Sequence, residues 1–197
     1  MPSQVSAFAV FFASIFTSNI LLTNYLGMCS FLAVSKEMKT SVGLGAAVTF
    51  VLAVTTPLNW LVYHYLLIPF NLEYLRFIVF IIVIAAFVQL TEIALERYSE
   101  PLYQSLGIFL PLITVNCAIL GASLFMVIRE YTFITSLLFG LGSGIGWLLA
   151  IVAMSGIRTK LRTANIPPAL EGPGISLIIA GFMAMAFMGF SGMIAVS

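Results

Sequence analysis

Few side chains in this sequence have a type and placement that could do chemistry. Cys29 and Cys117 are the only cysteines, and each sits among Asn and Gly inside an otherwise apolar run, 21-LLTNYLGMCSFLAVSK-36 and 106-LGIFLPLITVNCAILGASLF-125. Thiolates are ligands for soft metals, and iron–sulfur clusters are usually held by four of them, with hydrogen bonds to the sulfurs tuning the potential. This chain offers two. If they hold a cluster, a partner must supply the other two, and an inverted homologue or a second copy would do so by symmetry. Taken singly, a free cysteine is commonly a small buried hydrophobe. Two in different segments form neither a disulfide framework nor a CxxC motif.

The next candidate is Glu92, in 87-FVQLTEIALER-97. It is the only carboxylate that falls inside an apolar span, and intramembrane acids are site candidates by default. With Gln89 or Thr91 beside it, it offers hard oxygens suited to cation uptake; the competing reading is an interfacial acid snorkelling toward water. His64, in 60-WLVYHYLLIP-69, sits between Tyr63 and Tyr65 near a span end and reads, like Trp60, Tyr74 and Tyr131, as part of an interfacial aromatic belt. The Met and Phe stripe in 181-GFMAMAFMGFSGM-193 reads as helix packing, with Gly181, Ala184 and Gly189 allowing close approach. There is no Ser/His/Asp arrangement, no phosphate-cradling Gly loop and no flavin or nicotinamide fingerprint, so any soluble cofactor belongs to other subunits.

The elements that must position these residues are set by hydrocarbon. The 197 residues are 61% hydrophobic and 8% charged, with a mean hydropathy of +1.14, where an ordinary soluble domain carries about 25% charged residues. This predicts an all-α integral membrane protein. The eight Lys/Arg and seven Glu cluster between long apolar runs, there is no Asp, and a net charge of +1 with no basic block gives nucleic acid nothing to bind. The first basic residue is Lys36, so the first apolar run has no positive flank of a cleavable signal and is expected to remain.

Dividing the chain at its charges gives six spans, at about 5–34, 42–66, 77–95, 102–128, 132–157 and 174–195. Their connectors leave no room for a soluble domain, so 1–197 is one polytopic unit. The odd loops carry Lys36, Lys39, Arg97, Arg158, Lys160 and Arg162, whereas the even loops carry only Arg76 and Arg129. The excess predicts odd loops in the cytoplasm and both termini outside.

Spans one and four are longer than the roughly 20 residues a bilayer takes. Both carry helix-weakening residues in the middle: Asn19, Thr23, Asn24 and Gly27 in one, and Gly107, Pro111, Thr114, Asn116 and Gly121 in the other. Tilt with a kink is one outcome; interruption near the cysteines, in span four at Thr114 to Asn116, is the expectation. The halves also echo one another. Cys29 answers Cys117, and 42-VGLGAAVTF-50 answers 138-LFGLGSGIGW-147. Because three spans is odd, the second half would run inverted, a 3+3 inverted-topology repeat of roughly 5–95 and 102–195 with its site at the repeat interface.

The segments 26-LGMCSFLAVSK-36, 107-GIFLPLITVNCAILG-121, 142-GSGIGWLLAIVAMSGIR-158 and 187-FMGFSGM-193 resemble the NqrDE/RnfAE family of membrane subunits over almost the whole chain, the first dozen residues excepted. The first segment and GSGIGW read more like the branch found in Na+-translocating NADH:quinone oxidoreductase than that of the related ferredoxin:NAD+ oxidoreductase. The resemblance implies a six-helix subunit of the bacterial inner membrane with periplasmic termini, set against a paralogous six-helix subunit within a six-subunit complex. It implies that Cys29 and Cys117, with two cysteines of that paralogue, ligate an intramembrane [2Fe–2S] cluster, with flavins and the NADH site on other subunits. It also implies that Glu92 takes part in sodium uptake. A small cation transporter without redox chemistry, and a purely structural assembly subunit, are the competing classes.

Overall fold

The computed structural model describes residues 7–98, 110–162 and 172–189. Every regular element among them is helical. In chain order these are α1 (Ala7–Ile15), α2 (Met28–Val34), α3 (Met38–Val62) running on through a π-helical turn (Tyr63–Leu67), a 3-10 turn (Glu73–Leu75), α4 (Arg76–Tyr98), α5 (Leu110–Thr114), α6 (Cys117–Ile128), α7 (Phe133–Leu161) and α8 (Pro173–Met188). Among the described residues, four segments are long and apolar enough to cross a membrane: Met38–Leu67, Glu73–Ala94, Pro111–Ile128 and Phe133–Leu161; α8 is a shorter apolar helix. The protein is an all-α integral membrane protein. The outer stretches of predicted spans four and six, 102–109 and 190–195, lie outside the described residues.

Span one is not a tilted helix. It is α1, an irregular stretch and then α2, and the chain turns between them through left-handed residues Tyr25 (φ 55) and Gly27 (φ 86). The predicted break in span four is also present, since α5 ends at Thr114 and α6 begins at Cys117 with Asn116 as its cap.

The centre of the fold is α7. Apolar burial gains little in a lipid solvent, so van der Waals fit and close backbone approach must hold such helices together. In 140-GLGSGIG-146 the glycines alternate between two faces. Cβ atoms at Gly140 and Gly144 would lie 2.7 Å from Leu52 O and 2.7 Å from Thr49 Cα on α3. One at Gly142 would meet Ser14 and Phe11 O of α1, and one at Gly146 would lie 3.0 Å from Ile15 O. Residues two apart on a helix project about 200° from each other, so one glycine run seats two neighbours on opposite sides. On the α3 side, Gly45 packs on Leu148 of α7 and not on its glycine run. Just beyond the run, Trp147 is fully buried with Leu44, Val48, Phe31 and Ile151 in one core.

Packing in α8 differs from the expectation. Ala180 and Ala184 are buried, but Gly181 has no atom within 4 Å of its would-be Cβ, and Phe182 and Met185 are 64% and 59% exposed. The stripe of α8 that faces this chain carries Ala180, Ala184, Met183 and Phe187, whereas Phe182, Met185 and Met188 face outward.

Gly144→Val should therefore push α3 from α7 and destabilise the solubilised protein by about 1–3 kcal/mol, the cost of overpacking a fitted contact. Gly181→Ala should cost nothing and gain up to about 1 kcal/mol from helix propensity. Thermal unfolding of the two variants in one detergent checks the contrast.

Candidate functional site: two thiols at two helix breaks

A helix broken in hydrocarbon exposes amide and carbonyl groups that water cannot satisfy. At the first break, one side chain does most of that work. Asn19 Oδ1 accepts the amides of Leu21 (3.0 Å) and Leu22 (3.3 Å), while Nδ2 donates to Ile15 O (3.0 Å) and Gly146 O (2.9 Å). It caps the break and fastens it to α7 at once. The carboxamide is fully buried.

Asn116 serves the second break in the same way. Its Oδ1 accepts from Ala118 N (3.0 Å), the N-cap geometry that Asn favours, and its Nδ2 donates to Ser30 Oγ (3.3 Å) on α2. Ser30 Oγ in turn donates to Gly27 O (3.0 Å).

The two breaks meet. Gly27, just before α2, donates its amide to Cys117 Sγ at 2.9 Å across 90 residues of sequence. A Cβ at Gly27 would lie 2.7 Å from Trp147 Nε1, 3.1 Å from Ala118 Cβ and 3.2 Å from Asn116 Oδ1, and the φ of 86° adds conformational strain, so this position needs glycine twice over. Cys117 opens α6 and is half-buried; Cys29 is the second residue of α2 and is exposed. Both thiols are free of disulfides, and the turn that leads into the helix of Cys29 meets Cys117 through Gly27. Cys117 also lies in the first turn of the twelve-residue helix α6.

Behind them, Trp147 Nε1 is buried with no hydrogen-bond partner among the described residues, an N–H donor held against the Gly27 turn. On the other side, α2 is held at its carbonyl end. Arg158 Nη1 donates to Leu32 O (3.0 Å) and Ser35 Oγ (2.6 Å), and Arg162 Nη2 donates to Lys36 O (2.7 Å). The seven-residue α2 is thus fixed at both ends by groups distant in sequence.

Not every candidate joins this site. Glu92 is half-buried on α4, which packs against α5 and α6, but it takes no part in the hydrogen bonds around the cysteines. His64 lies in the π-helical turn, its ring stacked on Trp60 at 4.3 Å, consistent with its reading as a boundary aromatic. No group of three or more His, Cys, Asp or Glu that could hold a metal occurs among the described residues. Reading the sequence missed Ser30, Trp147 and the capping by Arg158. The only signal for the last was a basic residue placed one turn before the end of an apolar helix.

These features define an all-helical membrane protein that interrupts two apolar spans and joins the interruptions through a thiol. The chain belongs to the Rnf-Nqr family: the family's model, described as "Rnf-Nqr subunit, membrane protein", matches residues 7–194. Among curated proteins it is similar to the NqrE subunit of the Na(+)-translocating NADH-quinone reductase of Psychromonas ingrahamii (strain DSM 17664 / CCUG 51855 / 37). The two are 53% identical over 194 residues, covering 93% of this chain and 96% of the relative.

Loss of the Asn116 carboxamide should cost about 1–2 kcal/mol and loosen the junction, because a cap and the link to Ser30 go together. Asn116→Ala should accelerate maleimide labelling of Cys117 several-fold, whereas Asn116→Ser, which keeps the cap, should lie nearer the parent rate.

Proposed function

We propose that this chain is a membrane electron-transfer subunit of a Na+-translocating NADH:quinone oxidoreductase, in which Cys29 and Cys117 are two of the four ligands of a [2Fe–2S] cluster shared with a paralogous six-helix subunit. The observation that carries the reading is the 2.9 Å hydrogen bond from Gly27 N to Cys117 Sγ, which joins the two broken spans at their cysteines. The name and 53% identity of the Psychromonas relative support the choice of complex.

The residues present suit such a group. Cys29 is exposed at the surface of the chain, where a partner can complete the ligand set, while Cys117 is half-buried with an amide already directed at its sulfur. Glycine at position 27 lets the backbone come close, and the unpartnered Trp147 N–H lies on the inner side of the same turn. When bound, the cluster supplies one-electron transfer. The chain's own contribution is to hold two thiolates at fixed separation from rigid half-helices, to donate the Gly27 amide to one sulfur, and to exclude water with the Phe31 and Trp147 core. Charge arriving in this low-dielectric setting acts strongly on nearby dipoles. Those of the Gly27 turn, which lies against Trp147 of α7, and of Asn116, which bonds Ser30 of α2, would carry its effect to these helices and give a route from electron flow to gating of a cation path.

In this reading Glu92, on the separate helix α4, takes up sodium at one membrane face. The subunit works within a six-subunit complex of the bacterial inner membrane, its termini on the periplasmic side and its two halves related as inverted repeats. NADH and flavins are handled by other subunits.

Iron and acid-labile sulfide analysis with electron paramagnetic resonance on the purified complex tests the ligands. Cys29→Ser and Cys117→Ser should each remove the [2Fe–2S] signal and abolish Na+-dependent turnover; retention of cluster and pumping in either would refute the assignment. Glu92→Gln should keep the cluster and raise the Na+ concentration for half-maximal turnover by about tenfold, the effect of losing about 1.4 kcal/mol of binding. An unchanged Na+ dependence would remove Glu92 from the path.

A further inference from the structure

At one end of the bundle, away from the cysteines, the chain builds a cavity of about 300 Å³ from the C-terminal ends of α3 and α6. Its walls include Trp60, Tyr63, His64, Tyr131, Val127 and Glu130. Two departures from regular helix shape it. Past Val62 the α3 helix widens into the π-helical turn, with Ile68 N bonding Tyr63 O at 3.1 Å, which places His64 on Trp60 and turns both toward α6. Single π-turns of this kind occur chiefly at functional sites.

On the facing side α6 closes in a Schellman motif, with Tyr131 N bonding Met126 O (3.1 Å) and Glu130 N bonding Val127 O (3.1 Å). The left-handed residue of that motif is ordinarily Gly or Asn; here it is Glu130, at φ 50. A carboxylate is thus kept at a backbone position that disfavours it, and it makes no hydrogen bond or ion pair among the described residues.

The chemistry of this cavity is that of a cation site. Four rings line it, and aromatic rings attract ammonium groups electrostatically. Trp60 Nε1 is already committed to Tyr131 O (2.8 Å), and His64 covers one face of the indole. Glu130 is the carboxylate in the wall, and no Lys or Arg lines the cavity. At the rim stands Arg129, with its Nη1 donating to Tyr131 OH (3.1 Å) and its guanidinium over Phe125 at 5.8 Å. An anion beside the cation would find Arg129 there. Both candidate spans, Met38–Leu67 and Pro111–Ile128, end beside this cavity. Exposed Leu66, Phe70, Ile128 and Ile134 at these helix ends and at the start of α7 provide an apolar surround for acyl chains.

We propose that this cavity binds a zwitterionic phosphoethanolamine group, as the headgroup of a membrane phospholipid, with the primary ammonium on Glu130 among the rings that line the cavity and the phosphate on Arg129. The ammonium donates to a carboxylate otherwise without a partner, and the phosphate faces the one guanidinium at the rim. The volume suits a headgroup and leaves the acyl chains outside along the helix ends. The site is independent of the cysteines and stands whether or not they hold a cluster.

The test uses the whole purified complex, stripped of loosely held lipid and titrated by native mass spectrometry. The probes are dioctanoyl phosphatidylethanolamine, dioctanoyl phosphatidylglycerol and free O-phosphoethanolamine. The expected result is phosphatidylethanolamine binding at least tenfold tighter than phosphatidylglycerol, with that preference lost in Glu130→Gln and binding of the ethanolamine lipid weakened in Val127→Trp, which fills the cavity. Free O-phosphoethanolamine should compete only weakly, because the acyl chains contribute; if it competes as well as the lipid, the occupant is a soluble zwitterion and the lipid proposal fails. Equal binding of the two lipids by the parent complex, or an unchanged preference in Glu130→Gln, would overturn it. [2Fe–2S] content should be unchanged in both variants, and its loss would contradict the separation of the two sites.

Discussion

Hydrocarbon offers no hydrogen-bond partner to a backbone group, so a helix can be interrupted inside a membrane only where the chain supplies replacements from within. The rest of this structure depends on that constraint. Two carboxamides meet it, Asn19 at the first break and Asn116 at the second, and each does more than cap. Because a carboxamide has two donors and an acceptor, what remains after capping reaches a neighbour: α7 in one case and α2 in the other. Satisfying the breaks and joining them are the same set of bonds. The thiol of Cys117 completes the set by taking the Gly27 amide, the group that a break before α2 would otherwise leave without a partner.

The second constraint is backbone distance. For α1 and its break to reach Gly146, α7 must be bare on that side; for α3 to lie against it, α7 must be bare on the other. Alternating glycines meet both needs, and Trp147 then fills the volume where the glycines stop. Its indole N–H is the one buried donor near the thiols without a partner among the described residues, so the polarity of this core is unbalanced toward donation where negative charge would be held.

Much of this could be read in the sequence because lipid makes polar and conformationally unusual residues conspicuous. A Pro, a Thr and an Asn within six residues of apolar chain mark the end of α5, and the structure stops the helix at Thr114. Asn19 to Gly27 marked the first break for the same reason. What the sequence could not reveal is which distant group each polar residue finds. Nothing in a string of residues ties Asn116 to Ser30 or Arg158 to Leu32, since these contacts depend on how helices lie side by side. The π-turn at Tyr63–Leu67 was equally hidden, because an added residue in the hydrogen-bond register leaves no mark in composition. Gly181 erred the opposite way: a small residue in a Met- and Phe-rich helix resembles a packing face, but open space lies in front of it.

The clasp on α2 has a consequence for how the chain is made. Leu32 and Arg158 are 126 positions apart, as are Lys36 and Arg162. A polypeptide threaded into a bilayer from its N-terminus presents the segment bearing Cys29 early and the two arginines late. Until they arrive, α2 is seven residues with open carbonyls at one end, too short to hold its shape alone. The segment that bears the first thiol therefore reaches its final position only once the helix that carries Arg158 and Arg162 lies beside it.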